Sequence, residues 1–404
     1  MSRELAPVAL LGWSLHALEA MDELKRPFVV VAHEAYRPLA AEHGLNYVSW
    51  DFDRSNEHSH ELAKTLAELG VKTSIPLYEE TVDWAGAVNS VLWEAPRLFN
   101  QALLFRDKAM MKRKAQISGI RVGVFEEAET RDDVRKFLRR VNKALLKLDG
   151  DKEDPVHLKA FASAGCVGHR LIRTNEDIDA VPLTEFPCLL ESHLDGQEFS
   201  CEVFIHDGEI QFLNITEYIH LGHSNFVPAS DRLESKRPQI REAVEELIAA
   251  FEIRYGMIHP EWFITNDGKL NFGEVAARVP GGHIFELIQR AYGFNPFAGM
   301  ALCSDPQTTK AELEAFFPKE SDFKGHAGTL MVYPRGPIAS KLEVPAELEE
   351  DPYFEQHNLF VPASPKVAQR VGFGNHYGTI YFFGEDPRRM EDLMWKWEKF
   401  DFYS

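Results

Sequence analysis

HPEWFITNDGKLNFGEVAAR, running from His259 to Arg278, is the stretch on which the reading of this chain turns. Apolar runs flank Asn266-Asp267-Gly268-Lys269, and a polar break with glycine between two such runs signals a β-hairpin with a two-residue loop. With Asp267 and Gly268 as that loop, Asn266 pairs with Lys269, Phe263 with Phe272, Glu261 with Glu274, and Met257 with Arg278. Side chains alternate across a strand, so Glu261, Glu274 and Arg278 share one face. Pro260 has no N–H to give a neighbouring strand, which predicts a bulge or an unpaired edge beside it and leaves the register open to a slip of one residue.

Two carboxylates directly opposite each other have Cβ atoms about 4.5–5.5 Å apart and destabilise a sheet unless something neutralises them. A hard divalent cation does so, and Mg²⁺ typically takes one or two carboxylates plus substrate phosphates. A solvent-facing hairpin with both glutamates hydrated fits the same spacing. On these residues alone the two readings stand level.

Working outward, the chain from Ala6 to Leu11 reads as a buried strand, Gly12 as a turn and Trp13 to Lys25 as an amphipathic helix; strand signals return from Pro27 to Ala32 and from Asn46 to Phe52. Strands alternating with helices predict parallel βαβ units, hence a small doubly wound domain over residues 1–100. Its first turn has one glycine before Trp13 and Ser14 rather than GxGxxG, so a dinucleotide site is not indicated there. From Asn100 to Ile120 the chain is helical and basic, with Arg106, Lys108, Lys112, Arg113 and Lys114. Such a run ordinarily covers a solvated helix face. An α+β segment fills residues 101–195. Residues 196–404 hold strands from Phe199 to His206 and Ile210 to Thr216, a helix from about Pro238 to Ile253, and another helix after Gly281-Gly282. The tail from Gly325 reads as short strands with a last helix from Pro387 to Phe400, and no internal repeat is present.

The 404 residues carry 44 Lys plus Arg against 63 Asp plus Glu, a net charge of −19. That balance excludes a general binder of nucleic acid or of anionic membranes, which would repel it. Cys166, Cys188, Cys201 and Cys303 show no CxxC spacing, so neither a disulfide framework nor a zinc finger is indicated. Leu5 to Leu18 is too short and interrupted to span a bilayer, and no signal peptide opens the chain. A soluble cytoplasmic protein is expected, with a homodimer left open. His58 with His60, and His220 with His223, lack the further ligands of a structural zinc site. No GxSxG elbow supports a serine hydrolase.

In the form H-x-E…D-G…E-V-A-A-R-x-x-G-G, the hairpin and its continuation resemble the metal-binding end of the ATP-grasp fold. They are most similar to ATP-grasp carboxylate–amine ligases, which join amino acids or related small acids to amines. The resemblance implies an α/β and α+β architecture: an ATP-grasp fold with an N-terminal doubly wound parallel-sheet domain. It implies Mg²⁺ (or Mn²⁺) held by Glu261 and Glu274, and Arg278 facing an acyl phosphate and tetrahedral intermediate. Many superfamily members carry Asn two residues after the second glutamate, where this chain has Ala276.

Three further motifs follow the same resemblance in order. Arg106-Asp107-Lys108 resembles the Asp-Lys that opens the ATP-grasp core, its lysine reaching the nucleotide phosphates. PVHLKAFASAGCVGHRLI, Pro155 to Ile172, resembles the strand, lysine and flexible loop that cover them, which makes Lys159 the second phosphate lysine and Ser163, Ala164 and Gly165 part of the loop. Small residues there let backbone N–H groups approach phosphate oxygens. Ala160, Cys166 and His169 depart from the usual pattern. CLLESHLDGQEFSCEVFIHDGEI, Cys188 to Ile210, resembles the adenine hinge: Glu191, Ser192, His193 and Leu194 would hold the adenine edge, and Glu198 the ribose hydroxyls.

On the substrate side, Val279-Pro280-Gly281-Gly282-His283 leads into a helix whose N-terminal N–H groups suit a substrate carboxylate or acyl phosphate. His223 resembles a position near the substrate in related ligases. The implied chemistry is ADP-forming ligation of a small carboxylic acid, as an acyl phosphate, to an amine, with amino acids as the expected substrates. Lys159 and Arg278 are its expected catalytic residues. A related carboxylase or small-acid kinase acting on bicarbonate or a metabolite, and a non-catalytic ATP-binding module, remain the alternatives.

Overall fold

The computed structural model describes residues 5–144 and 154–404; the first four residues of the 1–100 unit and residues 145–153 of the 101–195 unit lie outside them. β1 (Val8–Leu11), β2 (Phe28–Ala32), β3 (Tyr47–Ser49) and β4 (Thr73–Pro76) form a parallel sheet in the order β3-β2-β1-β4. β1 and β2 are apolar throughout, as a sheet covered on both faces requires. Ser14 caps the helix Leu15–Glu23 by accepting from the Ala17 N–H. The third strand is shorter than its apolar run suggests, because Trp50 and Phe52 leave the sheet and pack edge-on against Trp84.

One face of this sheet has its own core, where Leu11, Val29 and Val31 pack with Leu62, Leu66, Trp84 and Val88, and the other face shares a core with the large sheet. Val8, Leu10 and Ile75 belong to one buried cluster with Phe204, Phe285 and Ala298, and the helix Pro296–Ser304 wedges between the two parts. The Arg26–Asp305 ion pair, at 2.7 Å, crosses the same junction almost without exposure.

Two antiparallel sheets complete the architecture. β5 (Phe125–Ala128), β6 (Val156–Lys159), β7 (Arg170–Ile172) and β8 (Cys188–Ser192) are ordered β5-β8-β6-β7. The larger sheet contains β9 (Gly196–His206), β10 (Glu209–His220), β11 (Ser224–Val227), β12 (Tyr255–Thr265), β13 (Leu270–Ala276), β14 (His326–Met331), β15 (Phe354–His357) and β16 (Thr379–Gly384). Its order is β13-β12-β9-β10-β11-β14-β16-β15, so the tail from Gly325 extends this sheet rather than forming a separate unit. Among the described residues, no helix is long and apolar enough to cross a membrane.

The decisive hairpin corrects its sequence reading in a particular way. Thr265 N donates to Lys269 O at 3.0 Å and Gly268 has φ +76°, so the loop is the three residues Asn266-Asp267-Gly268, not two. Phe263 therefore faces Asn271, and Trp262 faces Phe272. A bulge then inserts Gly273 between the Trp262–Phe272 and Glu261–Glu274 pairs, which restores the expected register above it. Glu261 lies opposite Glu274 because the extra loop residue and the bulge compensate. A Cβ on Gly273 would stand 2.8 Å from the Glu261 carbonyl oxygen, which is why glycine occupies the bulge.

Candidate active site

Glu261 and Glu274 meet on neighbouring strands, and the side chains around them come from distant parts of the chain. Lys108 is the first residue of the helix Lys108–Ile117, whose N-terminus is capped by the Asp107 carboxylate. Its Nζ lies 2.6 Å from Glu274 Oε2. One turn on, Lys112 projects from the same helix face and reaches Glu191 Oε1 at 2.5 Å, while Lys159 at the end of β6 reaches Glu191 Oε2 at 2.7 Å. The basic run is thus not a solvated face: Lys108 and Lys112 are buried, and Arg113 is the member that points out, pairing with Glu127.

The electrostatics follow from this packing. Burial favours a protonated Glu191, but Lys112 and Lys159 outweigh it and hold the carboxyl well below its ordinary value. Burial likewise opposes Glu274, yet Lys108 and Lys159 bring it down to about 2. Lys159, despite its burial, is held well above the usual lysine value by Glu191 and Glu274. Glu198 moves the other way: burial, then the neighbouring Glu261 charge, pushes it up to about 8.

His259 and Glu202 form a support that sequence reasoning missed. Glu202 is fully buried and accepts from Ser200, Asn214, Thr216 and His259. His259 Nδ1 lies 2.9 Å from Glu202 and its Nε2 3.6 Å from Glu261. Burial alone would depress this imidazole, but the hydrogen bonds to the two carboxylates raise it to about 9.

Arg278 is positioned by another missed residue. Glu79, just past β4 in the first sheet's unit, accepts Arg278 Nε at 2.8 Å on one oxygen and Arg106 Nη1 at 2.7 Å on the other. Arg278 Nη1 also donates to the Val279 carbonyl. Nothing in the local pattern marks Glu79, beyond its place after the carboxyl end of a parallel strand, where α/β sheets put their ligands.

The predicted phosphate loop follows β6. Lys108 N donates to Phe161 O, and Val167 N to Ala164 O, so Ser163, Ala164 and Gly165 lie in a turn beside the lysines. In the hinge segment, Ser192 exchanges hydrogen bonds with Val124, and His193 Nδ1 lies 3.0 Å from His157 Nε2. His157 Nδ1 in turn lies 2.8 Å from His169 Nε2, so three imidazoles connect the hinge to the end of the loop.

Gly281 and Gly282 precede the helix Ile284–Tyr292, and the Gly282 carbonyl accepts from Asn225 and Thr329. His283 caps the helix with φ +58° and lies 3.0 Å from the Thr379 hydroxyl. His223 stacks on His220 with ring centroids 4.2 Å apart and has Arg370 Nη1 2.8 Å from its Nε2. Glu398 of the last helix brings a carboxylate to both histidines. Because His223 Nε2 accepts from arginine, the proton of its neutral ring sits on Nδ1, which removes that nitrogen as a metal ligand.

The ATP-grasp domain family matches residues 169–286. An L-arginine-specific L-amino acid ligase from Bacillus subtilis is 24% identical over 255 residues, which is 58% of this chain and 59% of that relative. The match thus spans less than two thirds of the relative's length. Among solved structures, an L-amino acid ligase from Bacillus licheniformis superposes with a TM-score of 0.74 at 18% identity, covering 98% of this chain and 97% of that one. A carboxyaminoimidazole ribonucleotide synthase from Aspergillus clavatus complexed with ATP gives 0.68 at 16% identity, covering 96% of each chain.

Proposed function

We propose that this chain, which has the ATP-grasp fold, is an ATP-dependent, ADP-forming ligase that couples a small-molecule carboxylic acid to an amine, both of them amino acids. The observation that carries this reading is that Glu261 faces Glu274 while Lys108 and Lys159, from separate segments, pair with Glu274 and with Glu191 beside it, and Arg278 follows the strand of Glu274. The similarity to amino acid ligases in sequence and fold supports the substrate class.

The donor set suits a hard divalent cation. Glu261 faces Glu274, and Glu198 close by is pushed up to about 8 by burial and then by the Glu261 charge. Glu261 and Glu274 would hold Mg²⁺ or Mn²⁺ through oxygen, as such ions require. When bound, the ion offsets charge on the nucleotide phosphates.

The chain's own residues divide the remaining work. Lys108 exchanges Glu274, and Lys159 exchanges Glu191, for phosphate oxygens, while Lys112 stays paired with Glu191. Ser163, Ala164 and Gly165 cover the phosphates with backbone N–H groups. Residues Glu191 to Leu194 meet the adenine edge, and the Glu198 carboxyl hydrogen-bonds the ribose hydroxyls. A donor carboxylate oxygen attacks the γ-phosphorus and the bond to the bridging oxygen breaks, leaving ADP. The amine nitrogen then attacks the acyl carbon, inorganic phosphate departs and the nitrogen releases its proton to solvent. Arg278, oriented by Glu79, stabilises the oxyanion, and the N–H groups after Gly281 and Gly282 receive the substrate carboxylate or acyl phosphate.

The test incubates the protein with MgATP and pools of amino acids, small carboxylates or bicarbonate, and follows ADP, phosphate and condensed product by mass spectrometry. Amino-acid-dependent ADP release with a dipeptide product is the expected result. Bicarbonate-dependent turnover without an amide product would replace this reading with a carboxylase, and nucleotide binding without turnover would leave only an ATP-binding module.

A further inference from the structure

The segment between β15 and β16 returns across the molecule to the phosphate loop. Phe373 N donates to Gly165 O at 2.8 Å. Gly372, with φ +55°, fits so closely against the Gly165 carbonyl that a Cβ there would collide with it. The Tyr333 hydroxyl ties the same segment down by donating to the carbonyls of Gly222 and Phe373.

This fastening holds Arg370, an exposed side chain, in one place. Its guanidinium lies 3.8 Å from the Tyr333 ring centroid, its Nε donates to Gly372 O at 2.9 Å, and its Nη1 lies 2.8 Å from His223 Nε2. Among the described residues it forms no ion pair, whereas Arg106 and Arg278 both pair with Glu79. Of its five N–H donors, three are left by these contacts. A ring-stacked, loop-braced guanidinium with spare donors is preorganised to receive a carboxylate.

A rim of rings runs from this cation to His283, at the N-terminus of the helix that follows Arg278. From His283, just beyond Arg278, the rings step to His376 at 6.2 Å, to Tyr333 at 6.2 Å and to the Arg370–His223 contact. His376 Nδ1 is buried along that rim without a hydrogen-bond partner.

We infer that Arg370, braced by Tyr333 and His223, binds the α-carboxylate of the acceptor amino acid, the substrate that supplies the amine. This rests on the ligase reading above. The chemistry separates the two substrates. The donor's carboxylate is consumed as acyl phosphate among the lysines and Arg278. The acceptor's carboxylate survives the whole reaction and needs a cation that takes no part in it.

The test uses the full chain in two assays. Trapping with hydroxylamine, which has no carboxylate, identifies the donor among the twenty common amino acids by hydroxamate formation. Dipeptide formation is then measured with each amino acid, and with its carboxamide, as acceptor. In Arg370→Ala the KM for the acid rises about 10- to 100-fold, the KM for the amide and for the donor hold, and the preference for acid over amide collapses. Arg370→Lys, which keeps charge but loses the fork, falls between. Equal losses for acid and amide, or no loss for either, overturn the assignment of Arg370 alone. Absence of hydroxamate with every amino acid in the unaltered protein overturns the ligase reading and this assignment with it.

Discussion

Lys112 Nζ stands 2.5 Å from Glu191 Oε1, and both side chains are buried. Lysine burial disfavours its charge, so the pair persists only because each member neutralises the other. Lys159 takes the second oxygen of the same carboxylate. Glu191 is therefore a pivot that sets the spacing of two cations, although it sits in a segment expected to contact adenine.

Removing one arm of that pivot tests it. Lys112→Met leaves Glu191 with Lys159 alone, and loss of one partner of a buried pair costs about 3 kcal/mol, measurable by urea unfolding at pH 7. Lys159 is then held more tightly by Glu191 and less available to phosphate, so the KM for ATP should rise. An unchanged KM would show that Lys112 serves packing only.

Gly273 offers a separate test of the metal-site register. Adding a methyl group at the bulge meets the Glu261 carbonyl at 2.8 Å and the Phe263 ring at 3.1 Å. Gly273→Ala should cost about 1–3 kcal/mol as an overpacked site and should weaken Mn²⁺ binding, read by titration calorimetry in the presence of ADP. Stability loss with unaltered Mn²⁺ affinity would mean that the Glu261–Glu274 pairing does not depend on the bulge.

Glu274→Gln and Arg278→Ala separate metal binding from oxyanion stabilisation. Glu274→Gln should abolish Mn²⁺ binding with ADP and lower turnover by more than about 100-fold. Arg278→Ala should leave Mn²⁺ affinity intact and lower kcat by about 10²–10³. A change confined to the KM for ATP in the arginine variant would remove its proposed role.

These residues also show what could be read from sequence. The hairpin was legible because its apolar runs and Asn-Asp-Gly break are local signals, and the glutamates face each other as the pattern predicts. The loop length was not, since a glycine inside a strand run marks a bulge only when the ladder is known. Lys112 read as solvent-facing because a basic run carries no mark of burial; its spacing from Lys108, one helical turn, was the available clue. Glu79 and Glu202 reach the site through tertiary contacts alone. The tail strands were visible as strands, but their place at the edge of the large sheet depends on pairings far apart in the chain.

The three linked imidazoles give a pH prediction. Burial, together with the Lys159 charge and its histidine neighbours, lowers His157 to about 3, and burial with Lys159 lowers His169 to about 4. Glu191, on β8 opposite His157, is the carboxylate acting against both shifts. Each folded-state value lies below the ordinary 6.5, so the unfolded chain binds the proton more readily. Their contribution is therefore complete above pH 6.5 and is lost as pH falls through the folded values. One such proton adds a slope of about 1.4 kcal/mol per pH unit between these limits. Carboxylates titrate in the lower part of the same range, so the informative quantity is the difference between the protein and His157→Gln. Urea unfolding at pH 7, 6 and 5, values chosen at roughly unit steps across the onset of the effect, should show the unaltered chain losing stability more steeply than the variant as acid is added. Parallel curves would mean that His157 gains its proton as easily in the folded chain as in the unfolded one, and that the link from hinge to loop is not held neutral.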